Sequence, residues 1–91
     1  MPYKTKDIDQ ALIKKGFAKR EGDHHFYEFI YKSQKTALRT KMSHSHKEIS
    51  DQLVAHMSRQ LKLVKKDFLS LIACPLSKED YIQLMRQGNW L

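Results

Sequence analysis

The chain has almost nothing with which to staple or stretch itself. It holds one cysteine, Cys74, in 91 residues. No intrachain disulfide can form, and a reducing cytoplasmic setting is expected. Three glycines and two prolines are too few for a flexible linker or a low-complexity tract. No internal repeat is visible. The longest run without a charge, 68–77, is far short of the ~20 residues a membrane span needs, and it contains Pro75. The segment from Met1 to Asp7 is polar and lacks an apolar core, so no secretory leader is expected. Acidic residues are also scarce: ten Asp and Glu against seventeen Lys and Arg leave a net charge of +7. That surplus attracts nucleic acid, an acidic protein or an anionic membrane surface, although a surplus serving solubility alone gives the same count.

What is present suffices for one domain. A hydrophobic fraction of 41% suits a folded globule, and the length allows a single modest core. Ile8, Ala11, Leu12 and, less well, Lys15 share one side of a helix expected over 6–15, with Gly16 placed to end it. Phe17 to Arg20 reads as a brief strand and Glu21-Gly22-Asp23 as a turn. His24 to Lys32 is rich in strand-forming residues. Its alternation puts His25, Tyr27, Phe29 and Tyr31 on the core side. His24, Phe26, Glu28, Ile30 and Lys32 take the open side. A turn at Ser33-Gln34-Lys35 leads to a returning strand over 36–43, with Leu38, Thr40 and Met42 inward and Arg39 and Lys41 outward. A helix over 46–60 carries the stripe Ile49, Leu53, Val54, Met57 and Leu61. A third helical segment, 64–73, ends at Pro75. A last helix starts at Ser77, whose N-cap Asp80 can answer, and ends at Gly88. This is an α+β domain, a three-stranded antiparallel sheet with helices on one face. The apolar residues after Lys62 are expected to complete its core, leaving an exposed patch around Trp90-Leu91.

The helix running into Lys15-Gly16-Phe17, followed by Gly22-Asp23-His24-His25-Phe26-Tyr27 at the start of the second strand, resembles the HicA (YcfA-like) toxin family. The resemblance spans roughly residues 6 to 57, placing a family-like core over about 6–61 and a helical extension over about 62–91. It implies a double-stranded-RNA-binding-domain-like α-β-β-β-α fold. It also implies an mRNA interferase of a toxin–antitoxin pair, neutralised by an acidic antitoxin, HicB. The catalytic histidine lies two places after the glycine in that family, which is His24 here, and His25 fits a second histidine that often follows. Asp23 stands where serine or glycine is usual. The third strand lacks the usual valine-proline pair.

RNA can be cut without a metal or cofactor when a base takes the 2′-hydroxyl proton and an acid protonates the leaving 5′-oxygen. Histidine, with an ordinary pKa of ~6.5, suits either role. A cation must meet the charge that grows on the phosphoryl oxygens. Arg39 and Lys41 are the candidates, with Lys19 and Arg20 in reserve. Asp23 either supports His24 in its charged form or simply forms the turn. His25 reads as a core or supporting residue. His44-Ser45-His46 could meet His24, His25 or Cys74 around a metal, but no pair has finger-like spacing, and a polar loop explains the same residues. His56 reads as an ordinary helix histidine. Tyr27, Phe29 and Tyr31 could stack on bases or fill the core. Arg59, Lys62, Lys65 and Lys66 could grip phosphates or face solvent. Besides an endoribonuclease, the composition admits a non-catalytic RNA-binding module on the same scaffold or a domain that docks an acidic protein.

Overall fold

A computed structural model of the chain describes residues 3–43, 47–73 and 75–91. The first element is a two-residue strand, β1 (Tyr3–Lys4), and helix α1 (Thr5–Lys14) follows at once. The Thr5 amide and hydroxyl both donate to the Lys47 carbonyl, at 2.9 and 3.0 Å, so the helix begins one residue before its expected start. Ile8, Ala11 and Leu12 are buried. Lys15 is also buried, and its ammonium donates to the Leu76 carbonyl. Gly16 then takes φ +98°, a left-handed conformation that glycine adopts without a Cβ penalty.

The sheet consists of β2 (Phe17–Glu21), β3 (His25–Tyr31) and β4 (Gln34–Met42), antiparallel in the order β2-β3-β4. Its inner face carries Phe17, Tyr27, Phe29, Leu38, Thr40 and Met42, all buried. Tyr27 and Phe29 are therefore on the expected side, whereas Lys32, expected on the open face, lies in the turn, and Glu28, also expected there, is only 8% exposed. The β3–β4 turn is not at Ser33-Gln34-Lys35. Tyr31 pairs with Gln34, leaving a two-residue loop, Lys32-Ser33, with φ of 51° and 64°. Two positive φ values give the turn whose twist matches the strands it joins. Asn-Gly usually marks that turn, and its absence hid the position. A register shift between Glu28 and Ile30 is tied down by the Thr36 hydroxyl, which donates to the Phe29 carbonyl at 2.8 Å.

The helix expected from residue 46 begins later. Glu48–Ile49 form a short strand, β5, that pairs with β1. Helix α2 (Asp51–Gln60) starts after Ser50, whose hydroxyl accepts from the Leu53 amide at 3.3 Å. The expected start at His46, and the loop His44-Ser45-His46, lie outside the described residues. With Ile49 in a strand, the buried side of the helix runs through Val54, Met57, Ser58 and Leu61. Leu53 leaves the stripe and is 45% exposed.

Helices α3 (Lys65–Ala73) and α4 (Lys78–Gln87) join the same layer. Phe68 and Leu71 from α3, and Tyr81 and Met85 from α4, belong to one core cluster with Phe17, Phe29 and Leu12. The α4 cap forms as expected. Ser77 Oγ accepts from the Asp80 amide at 3.1 Å, and the Asp80 carboxylate accepts from the Ser77 amide at 3.0 Å. Trp90 is 51% exposed, with Lys62 Nζ 4.6 Å from its ring centroid. Cys74 lies outside the described residues. No helix among the described residues is long and apolar enough to cross a membrane. Among the described residues the architecture is α+β: a three-stranded antiparallel sheet, a small β1–β5 ribbon and four helices.

Candidate nucleic-acid interface

The turn between β2 and β3 sets the position of His24. The Gly22 amide donates to the His24 carbonyl at 3.1 Å, closing a tight loop. A Cβ on Gly22 would lie 3.3 Å from the Phe26 ring, so glycine lets the loop lie close to that side chain. His24 immediately precedes β3, and its ring meets Phe26 edge-on at 6.1 Å. Its Nδ1 is covered, has no hydrogen-bond partner among the described residues, and lies 3.8 Å from Asp23 Oδ2. The Asp23 carboxylate is thus a neighbouring charge rather than a hydrogen-bonded support.

Register gathers the cations. Arg20 lies opposite Phe26, Phe26 opposite Lys41, and Glu28 opposite Arg39. Arg20, Arg39 and Lys41 therefore share the outer face of the sheet. The Arg20 guanidinium sits 4.4 Å from the Phe26 ring centroid, a cation–π contact that flattens it over the strand. Glu28, only 8% exposed, lies 3.6 Å from Arg20 and 3.8 Å from Lys35, so part of this positive charge is already answered.

Two clefts flank the edge strand β4, which α2 packs alongside. One, about 370 Å³, is lined by Arg20, Phe26, Glu28, Arg39, Lys41 and Gln60, among others. The other, about 260 Å³, is lined by His24, Lys41, Ile49, Leu53, His56 and Met57, among others. Lys41 belongs to both and joins His24 to the cationic surface. Gln60 fixes α2 against the strand, accepting a hydrogen bond from the Thr40 hydroxyl at 2.6 Å.

Lys19 and His25 do not join this group. Adjacent strand residues point to opposite faces, so Lys19 lies across the sheet from Arg20. Its ammonium is 2.8 Å from Asp9 and 3.6 Å from Glu21. His25 Nδ1 is 2.6 Å from Glu21 Oε1. Both line a separate and larger cleft of about 690 Å³. Size alone would favour that cleft, but Asp9, Lys19 and His25 in its lining are held in ion pairs with one another or with Glu21. Tyr27 donates to the Asp9 carboxylate at 2.5 Å beside the Lys19 ion pair.

Burial alone would push the Asp9 carboxyl up, but hydrogen bonds from Lys19 and Tyr27 outweigh it and hold Asp9 below its ordinary value. Its stabilisation is therefore complete above the unfolded value of ~3.9 and is lost as pH falls through the lower folded value. The urea midpoint of the native protein is expected to drop further between about pH 5 and about pH 2 than that of Asp9→Asn. Parallel losses would refute the coupling.

His44, His46 and Cys74, the other residues raised for a metal, lie outside the described residues. Among those described, no three His, Cys, Asp or Glu side chains gather as a metal-holding group. His56, which reads in the sequence as an ordinary helix histidine, and Gln60, which nothing in the sequence singles out, line the two clefts. Their only signal was position: spaced by four on α2, they share one flank of the helix. Searches of protein-family models, of curated proteins and of solved structures find no match to this chain.

Proposed function

We propose that the protein is a HicA-like endoribonuclease, the toxin of a toxin–antitoxin pair, acting on mRNA in the cytoplasm without a metal. The observation that carries this reading is the cleft in which His24 and Lys41 meet, joined through Lys41 to Arg20 and Arg39. The order of α1, the three sheet strands and α2 agrees with the double-stranded-RNA-binding-domain-like scaffold of that family. The net charge of +7 suits both a phosphate backbone and an acidic antitoxin of the HicB kind.

In this reading, an RNA strand lies along the β4 edge with its phosphates against Arg20, Arg39 and Lys41. The 2′-hydroxyl loses its proton to a base and its oxygen attacks the adjacent phosphorus. The bond from phosphorus to the 5′-oxygen breaks, and that oxygen takes a proton from an acid. The products are a 2′,3′-cyclic phosphate and a 5′-hydroxyl end. His24 carries one of the two proton transfers. Lys41 stabilises the charge that accumulates on the non-bridging oxygens.

The test is incubation of the purified protein with end-labelled mRNA in EDTA. Fragments ending in cyclic phosphate and 5′-hydroxyl are expected. Intact RNA, with binding that weakens steeply as salt rises, would replace the enzyme by a binding module on the same surface.

A further inference from the structure

Cleavage by this route needs two proton carriers on opposite sides of the scissile phosphorus, and His24 is one. From the geometry of the cleft we infer that His56 is the second, a catalytic residue completing an acid–base pair with His24. This rests on the ribonuclease reading above and identifies the group that reading leaves unnamed.

The two histidines reach the cleft from different elements. His24 comes from the turn before β3 and His56 from the exposed flank of α2. Both line the same space of about 260 Å³. That volume lies just below the ~300–1,000 Å³ of pockets that enclose a whole small ligand. It therefore suits one linkage of a longer chain passing through. Lys41 enters from β4, and among the described residues it is the charged side chain of this lining, histidines aside. Ile49, Leu53 and Met57 supply an apolar wall for a base or the sugar. Leu53 is 45% exposed and sits one helical turn before His56, so the two present one continuous edge. A proton carrier from each of two elements, with a cation in the same lining, supplies the groups that an in-line displacement at phosphorus uses. Either imidazole can take the 2′-hydroxyl proton while the other gives its proton to the 5′-oxygen. The proton count then balances within one turnover, and the two rings exchange protonation states.

The experiment compares the native protein with His56→Ala, His56→Gln and His24→Ala on two RNA substrates. One is natural, and the other has sulfur in place of the bridging 5′-oxygen. Sulfur leaves without help from an acid, so it rescues loss of the acid but not loss of the base. On natural RNA, both His56 variants are expected to lose about 10²–10⁴-fold in kcat with little change in KM. Their thermal midpoints should match the native one, because the His56 side chain is exposed. On the sulfur-bridged RNA, one of the two alanine variants should recover and the other should not. Natural-RNA cleavage at the native rate by His56→Ala, beside an inert His24→Ala, overturns the pair while the ribonuclease reading stands. An identical response of the two alanine variants to sulfur also overturns it. A native protein that cuts neither substrate overturns the ribonuclease reading itself.

Discussion

His24→Ala is expected to lower the rate of RNA cleavage in EDTA by about 10²–10⁴-fold and to leave the thermal midpoint level or slightly raised. The loss follows from removing a proton carrier. The unchanged stability follows from how little holds the side chain. His24 is half-buried and meets Phe26 only edge-on, 6.1 Å from ring to ring. Its covered Nδ1 makes no hydrogen bond among the described residues, and a covered polar atom without a partner costs about 1–3 kcal/mol. Its removal therefore relieves the fold. Such placement is typical of a group kept for reaction rather than packing. Binding separates the two roles further. In the proposed reading the phosphate contacts come from Arg20, Arg39 and Lys41, so His24→Ala should bind RNA with the native Kd and the native salt dependence. The checks are single-turnover cleavage, filter binding at several salt concentrations and a thermal melt on one preparation. Native cleavage by the folded variant would move the chemistry away from this cleft.

The parts of this fold that were legible in the sequence were written in local chemistry. Ser77 and Asp80 stand three apart before an apolar run, and both capping bonds form. Gly16 follows a helical stripe and takes a positive φ. Strand alternation placed Tyr27 and Phe29 inside, and cross-strand register then brought Arg39 and Lys41 beside Arg20. The illegible parts depend on partners distant in the chain. Glu48–Ile49 has no strand signature of its own and becomes β5 only because β1 lies beside it. That pairing delays α2 and turns Leu53 outward. His56 likewise reads as an ordinary surface histidine until α2 is laid along β4. The candidate site thus divides in two: its His24 half lies in a contiguous motif, and its α2 half exists only through tertiary packing.

Tyr81→Ala is expected to cost about 3–5 kcal/mol, the range for emptying a large buried aromatic site, against a total stability of about 5–15 kcal/mol for a domain. Tyr81 is fully buried, its ring 5.0 Å from Phe29 and 5.7 Å from Phe17. Its hydroxyl donates to the Leu61 carbonyl at 3.0 Å. One side chain of α4 thus fastens the inner faces of β2 and β3 to the end of α2. Tyr81→Phe keeps the ring and loses only the bond, leaving a buried carbonyl unpaired at a cost of about 1–3 kcal/mol. The ratio of the two losses, read from urea midpoints at constant slope, separates packing from hydrogen bonding. If Tyr81→Ala left the midpoint unchanged, residues 62–91 would be an appendage to an independently stable core. The structure argues the reverse, because Phe68, Leu71, Tyr81 and Met85 share one cluster with Leu12, Phe17 and Phe29. The functional consequence follows the same path. Phe29 lies on the strand that His24 precedes, and Leu61 directly follows the helix that carries His56. A cavity at Tyr81 loosens both supports, so the variant should lose cleavage at temperatures where it is still folded. The proposed proton-transfer pair tolerates little loss of alignment, and on that proposal the residues after Lys62 support the chemistry without touching RNA.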